Sequence, residues 1–219
     1  MIPPCLRRTP PPPPKTTPDP RSLFTSFYYN LAKLPAQPLS PRVADERIGY
    51  FVMTRTDYTE DTQPKTRQHW IKRWRLEKQD PTATLSPPKQ PITFWLDKNI
   101  PVKYRASVRQ AVLEWNKAFE KIGYQNAIVV QQQSDTDSFN TMDARHASVR
   151  WFTGSDIGFA IGPSHADPRT GEILDADMGM SDVFARGARR QVSEDLRHTH
   201  ASHSHDAAHC DYAQQAQQE

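Results

Sequence analysis

The chain has 219 residues, of which 36% are hydrophobic and 24% charged, and its net charge at neutral pH is +3. A charge this small, spread along the chain, argues against a nucleic-acid-binding surface, and no apolar run is long enough to cross a membrane. The 20 prolines against 8 glycines predict one ordinary domain together with extended or disordered chain.

Residues 1–40 are rich in proline, and Pro10 to Pro14 form an unbroken run, so we expect a disordered segment here. A linker or a misplaced start of the sequence is the favoured interpretation, and a ligand for a proline-binding domain is the alternative. Arg7 and Arg8 are followed by prolines rather than by the apolar core of a signal peptide. We therefore expect no export signal in the sequence as it stands.

Residues 41–90 are predicted to be the end of a β-rich region followed by a linker. Ile48 to Met53 and His69 to Leu76 are predicted strands, and the second alternates tryptophan with basic residues. Such alternation occurs in single-stranded nucleic-acid binding, but it is more typical of a half-buried strand with a solvated face. We expect no nucleic-acid partner. Prolines concentrated between residues 81 and 91 predict a domain boundary at about residue 90.

The most informative stretch runs from residue 91 to residue 130 and predicts a strand, a long helix and a second strand. Pro91 to Asp97 alternates with period two, and Ala127 to Val130 is a short buried strand. Between them Val102 to Ile122 carries apolar residues at helical spacing, and Gly123 ends the helix. The expected buried face consists of Tyr104, Val108, Ala111, Val112, Trp115, Ala118, Phe119 and Ile122. A helix of this length spans about 30 Å, enough to cross a small sheet.

Four further local signals follow in the C-terminal half of the chain. Ala147 to Phe152 and Glu172 to Met178 are predicted strands, and Asp167 to Gly171 is a predicted turn. Ser181 is a predicted N-cap for a helix that continues to Leu196.

Candidate chemical sites are weak when each is considered by itself. The connection from Asp97 to Pro101 lacks the glycines that cradle a phosphate. His205 and His209 have the i, i+4 spacing of zinc ligands, but they lie in a polar tract where adventitious metal binding or plain surface is more typical. Asp175 and Asp177 share one face of their strand, so they are candidate calcium ligands, an acid–base pair, or solvated carboxylates.

Four segments, taken in order, resemble the large bacterial zinc-dependent metalloproteases related to the EcxA toxin protease, of metzincin type. They are Arg47 to Phe51, Arg73 to Lys78, Glu114 to Glu120, and Gly162 to Ile173. The resemblance covers most of the chain from Arg42 onward.

The resemblance implies a twisted mixed sheet with one long backing helix, the upper half of a metzincin-like catalytic domain at residues 91–219, in an α+β protein. Ile157 to Ile161 would be the edge strand at the active-site rim, where extended polypeptide substrate lies antiparallel. The implied substrate-binding residues are Gly158, Phe159, Ala160 and Ile161. The family also suggests a periplasmic or secreted location.

In this family zinc is held by a His-Glu-x-x-His helix plus a third histidine, and this sequence contains no such motif. We therefore assign no catalytic residue, no metal ligand and no specifically bound zinc to this chain. We expect a truncated fragment of a zinc-dependent metallopeptidase that is inactive as it stands, with a marginal fold and exposed apolar surface. The alternative is a non-catalytic module that binds peptide at an exposed sheet edge.

Overall fold

The computed structural model describes residue 19 and residues 24–62, 64–154 and 157–195. The strands in these ranges are β1 (Val52–Thr56), β2 (Arg67–Ile71), β3 (Ile92–Leu96), β4 (Ile128–Gln132), β5 (Ser148–Phe152), β6 (Ser164–Ala166) and β7 (Ile173–Ser181). The helices are α1 (Val102–Leu113), α2 (Asn116–Lys121) and α3 (Asp182–Arg190), the last followed by a π-helical turn at Gln191–Asp195. The expected α+β class is confirmed.

The main sheet has five strands in the order β4-β3-β5-β7-β6. The first four run parallel, and β6 runs antiparallel to β7. Thr93 lies opposite Val129, and Leu96 lies opposite Val149. The predicted strands around residues 92, 129 and 149 are therefore neighbours in one mixed sheet, and the helices of the crossover connect the parallel pair β3 and β4.

The single helix expected over Val102–Ile122 is two helices, α1 and α2. The carbonyls of Glu114 and Trp115 accept hydrogen bonds from amides three residues later, the tighter spacing of a 3₁₀ turn. The side chain of Asn116 then bonds both the N–H and the C=O of Ile128 in β4, at 2.8 and 3.0 Å. This contact holds α2 against the edge of the sheet and accounts for the break.

The hydrophobic core lies between the main sheet and α1. Its buried members are Ile92, Phe94, Leu96, Ile100, Val108, Val112, Ile128, Val130, Ala147 and Val149. Trp115 and Ile122, both expected in the buried helix face, are 65% exposed. The expectation was wrong at these two positions, where the break redirects the end of the helical segment, and also at Ala111 and Ala118, which are exposed. The exposed apolar surface expected from the sequence is present here.

The turn between β6 and β7 has the predicted chemistry. The amides of Thr170 and Gly171 both donate to the carbonyl of Asp167, at 3.1 and 2.8 Å. Gly171 has φ +77°, and a Cβ there would lie 2.6 Å from the carbonyl oxygen of Ile71. Only glycine fits both the conformation and the close approach. Ser181 caps α3 as predicted, accepting from the amide of Val183.

The small sheet pairs β1 with β2 antiparallel, and both strands differ in position from the expected segments. The predicted strand at Ile48–Met53 begins late because the Asp45 carboxylate accepts from the Arg47 amide, which forms a turn. The predicted strand at His69–Leu76 ends early, at Ile71. Beyond it the chain leaves β1 and bonds to the segment that precedes β7.

That departure joins the N-terminal part of the chain to the main sheet. Arg73 donates its amide to the Gly171 carbonyl at 3.0 Å and accepts from the Ile173 amide at 2.8 Å. Trp74 packs edge-on against Phe94, with 6.2 Å between ring centroids. The predicted domain limits at residues 40 and 90 stay a prediction, and these contacts place residues 73 and 74 directly against the sheet.

Candidate peptide-binding edge

β6 forms one end of the main sheet, and its register with β7 decides which way its main chain points. Ile161 and Gly179 exchange two hydrogen bonds, and Asp177 donates its amide to the Pro163 carbonyl at 3.0 Å. Opposed residues of an antiparallel pair alternate between bonded and non-bonded positions. Ser164, opposite Ala176, therefore directs its N–H and C=O away from the sheet. No further strand lies on that side in the described part of the chain.

The residues predicted to bind substrate lie just before β6 rather than in it. They are Gly158, Phe159, Ala160 and Ile161. The first three have no strand conformation, and the fourth reaches β7 through an isolated bridge to Gly179. The side chains of Phe159 and Ile161 are half exposed.

The edge strand expected at Ile157–Ile161 is thus found at Ser164–Ala166. Pro163 has no N–H to donate, so the ladder is weakened between the bridge at Ile161 and the strand proper. The apolar run carries the stronger sequence signal, whereas a polar strand of three residues is too short to show period-two alternation. Sequence reasoning therefore missed Ser164, and no local pattern would have identified it.

The opposite end of the sheet, β4, is covered by side chains. Ala127 accepts from the Ile92 amide on the β3 side, so the polar main-chain groups of Ile128 and Val130 point outward. Asn116 bonds both groups of Ile128, and Arg109 donates to the Val130 carbonyl at 2.6 Å. These contacts bond three outward main-chain groups of β4, and bonding of this kind hinders pairing with another chain.

Beside the open edge, His165 of β6 faces a buried carboxylate of β7. The imidazole Nδ1 lies 3.5 Å from Oδ2 of Asp175, and the imidazole is 75% exposed while the carboxylate is 3% exposed. Oδ1 of Asp175 has no hydrogen-bond partner among the described residues. Burial, and next the charge of Asp177, raise the pKa of Asp175 above its ordinary value. Asp177 is itself held by the Ser148 hydroxyl at 2.6 Å.

Two charged pairs stand at the base of the β6–β7 hairpin. Arg169 donates from its side chain to both oxygens of Asp167, and Arg75 donates to both oxygens of Glu172 at 2.7 Å. Both carboxylates are buried. The guanidinium of Arg169 lowers the pKa of Asp167, and Glu172 raises the pKa of Arg75. These pairs stabilise the turn between β6 and β7 and so help to position β6.

An apolar groove of about 810 Å³ opens on the helix side of the same edge. Its lining includes Trp74, Phe94, Val112, Trp115, Met178 and Phe184. Ser164 also reaches this groove, whereas His165 lies on the opposite face with Asp175. A polypeptide paired with β6 would therefore place alternate side chains over an apolar and a polar surface.

The described residues do not fit a zinc site. They contain no group of three or more His, Cys, Asp or Glu side chains arranged to hold a metal ion. Asp175 faces His165 and Asp177 is held by Ser148, so the two carboxylates do not converge on one ligand. The histidines at positions 205 and 209 lie outside the described residues. No hydrolytic step through zinc follows from these contacts.

The fold is α+β, and no described strand pairs with the outer side of the antiparallel strand β6 at one end of the mixed sheet. Residues 14–79 match a family model described as a domain of unknown function (DUF5117). That match covers under a third of the chain and ends before β3. No curated protein and no solved structure matches the chain. Among the described residues, no helix is both long and apolar enough to cross a membrane.

Proposed function

We propose that this chain carries the substrate-binding sheet of a zinc-dependent metallopeptidase and binds extended polypeptide antiparallel along β6. The observation that supports the proposal is the outward main chain of Ser164 on an edge without a further strand in the described residues. An unpaired N–H and C=O at a sheet edge provide hydrogen bonds to any extended chain, independent of its sequence.

Two other features agree with the resemblance to metzincin-type enzymes. The sheet is backed by α1 and α2, and its edge strand runs antiparallel at the rim of a groove. In such an enzyme the apolar groove would be covered by the remainder of the catalytic domain, which holds the zinc helix. Because this sequence has no His-Glu-x-x-His, we expect these 219 residues to bind polypeptide without cleaving it.

A second candidate is a peptide-binding module with no catalytic role. It uses the same edge, and it needs only the outward main chain of Ser164, which this chain already has. The two candidates differ in one measurable property. The first predicts that a polypeptide carrying a His-Glu-x-x-His segment, encoded with or added to this chain, produces cleavage that a chelator abolishes.

The binding itself is tested by hydrogen exchange with an unstructured polypeptide such as reduced, carboxymethylated casein. We expect the amide of Ser164 to become protected, while the amide of Ile128 in β4, which already donates to Asn116, does not change. Protection at β4 alone, or at neither edge, would refute the proposal.

The variant Ser164→Pro sharpens this test because it removes the outward N–H and leaves the bonds of Pro163 to β7 in place. We expect about a tenfold loss of affinity, the value of roughly one hydrogen bond. Ser164→Ala keeps the amide and is the matched control, with affinity close to that of the original chain. Equal affinity of the proline and alanine variants would argue against pairing at β6.

A further inference from the structure

Residues 30–41, which we call the arm, cross from the loop after β4 to β2 without forming a helix or strand. At one end the side chain of Asn30 donates to the Met142 carbonyl at 2.8 Å and accepts from the Ala144 amide at 3.3 Å. At the other end the next residue, Arg42, accepts from the Ile71 amide at 2.9 Å. The arm is therefore anchored at both ends, to the loop after β4 and to β2.

Between these anchors the arm is bound through its main-chain carbonyls. The carbonyls of Pro35, Gln37 and Ser40 accept, in that order, from the guanidinium groups of Arg169, Arg75 and Arg73, each at 2.8 Å. A contact made to a carbonyl does not depend on the side chain that the acceptor residue carries. The three arginines thus recognise extended main chain rather than a particular sequence.

The composition of the arm suits this mode of binding. Pro35, Pro38 and Pro41 lack an N–H and have a restricted φ, so the arm cannot form a regular strand ladder. The same restriction leaves the arm fewer conformations to lose when it docks. Carbonyl acceptors remain available on every residue, and these are the groups that the arginines use.

Two of the arginines are held in place by the hairpin itself. Arg75 is bound by both oxygens of Glu172, and Arg169 by both oxygens of Asp167. The two carboxylates flank the turn between β6 and β7, and their side chains are at most 7% exposed. Each guanidinium retains a donor for the arm because it has five N–H groups in a planar fork.

We propose that Arg73, Arg75 and Arg169 form a surface that binds extended main chain, and that the arm is its built-in occupant, a strap that fixes the β6–β7 hairpin. Release of the strap frees the hairpin turn from the loop after β4. Any effect of the strap on peptide binding at β6 rests on the proposed function. The binding of the arm to the three arginines does not.

Hydrogen exchange on the full chain carrying Arg75→Lys and Arg169→Lys tests the strap. Lysine keeps the positive charge near each carboxylate but lacks the fork that binds the carboxylate and the arm together. This variant therefore loosens both contacts, and a variant of the arm alone isolates the contribution of the arm. We expect the bonded amides of Asp167, Gly171 and Ile173 to exchange at least about tenfold faster, as loss of one or two hydrogen bonds implies. Amides of β3 keep their rates.

The matched control is Arg105→Lys, since Arg105 also donates to two carbonyls, those of Lys98 and Ile100, away from the arm. It should leave hairpin exchange unchanged. A second variant changes the arm alone: glycine at positions 35, 38 and 41 loosens the chain without touching an arginine. It should accelerate exchange of the same hairpin amides. This variant still tests whether the arm fixes the hairpin if the arginine variant fails to fold.

Unchanged hairpin exchange in the arm variant, or equal acceleration in β3 and the hairpin, would overturn the strap. Casein binding separates the two proposals. If casein never protects the Ser164 amide while the arm variant still frees the hairpin, the proposed function fails and the strap stands. If casein protects the Ser164 amide and the arm variant leaves hairpin exchange unchanged, the proposed function stands and the strap fails.

Discussion

The two ends of the main sheet differ in how their main chain is satisfied. At β4 both outward groups of Ile128 are bonded by the side chain of Asn116, and the outward carbonyl of Val130 is bonded by Arg109. At β6 the outward groups of Ser164 face the side without a further strand in the described residues. Side chains thus bond three outward groups of β4, whereas no described strand covers β6.

This difference is informative because an unpaired sheet edge can pair with another chain, and proteins usually protect such edges. The side chains that bond the β4 edge, Arg109 and Asn116, belong to the crossover between β3 and β4. No additional segment is needed to supply them. The β6–β7 hairpin is held by the charged pairs at its turn and, in our proposal, by the arm. An edge that is braced but not covered has the properties needed to receive another strand.

The largest expected effect comes from uncovering the β4 edge with Asn116→Ala. The variant loses two hydrogen bonds and leaves the N–H and C=O of Ile128, a largely buried residue, without protein partners. We expect a loss of about 3 kcal/mol in the free energy of unfolding, measured by urea denaturation. Asn116→Asp, which keeps the acceptor for the Ile128 amide, should lose less. Equal stability of the alanine variant and the original chain would show that the cap is dispensable.

Local signals predicted much of this molecule. Alternation located β3 and β5, the Asp167–Gly171 turn was recognised from residue types, and Ser181 was identified as a cap. Each of these depends on the residues themselves or on neighbours within a few positions. The mixed sheet with one backing helix was expected from the resemblance rather than from these local signals, and the expected single helix is divided into α1 and α2.

Features that depend on distant partners could not be predicted in this way. The sequence from Leu113 to Asn116 is compatible with one helix, and the break depends on contact with Ile128. Arg75 and Glu172 are 97 positions apart. The open edge is a three-residue polar strand, recognisable only from its register with β7. The candidate site therefore lies a few residues beyond the position that the apolar run indicated.

A smaller effect is expected from Asp167→Asn at the braced edge. The Arg169 guanidinium lowers the folded pKa of Asp167, so the carboxylate stabilises the fold above its ordinary pKa, and this contribution is lost as pH falls through the lowered value. We expect a loss of about 1 kcal/mol at pH 7, since the exposed guanidinium is partly screened by water. Urea titrations at pH 7 and in acid measure it. A deficit that persists undiminished in acid would mean that the amide disturbs packing rather than charge.

The smallest expected effect has the opposite sign and concerns Asp175→Asn. Burial and the charge of Asp177 raise the folded pKa of Asp175, so folding favours the protonated form. The original chain therefore loses stability as pH rises from the ordinary pKa of an aspartate to the raised value, and the penalty remains above it. Asparagine carries no charge to desolvate at any pH.

We expect Asp175→Asn to match the original chain in acid and to be more stable at pH 7, by less than about 1 kcal/mol. Differences in urea midpoint at the two pH values measure the effect, and Asp177→Asn is the control because Asp177 is held by the Ser148 hydroxyl and amide. If Asp175→Asn is less stable than the original chain at pH 7, the buried carboxylate gains more from His165 than its burial costs. His165 and Asp175 would then be a stabilising pair, and Asp175 of β7 would not be an uncompensated charge.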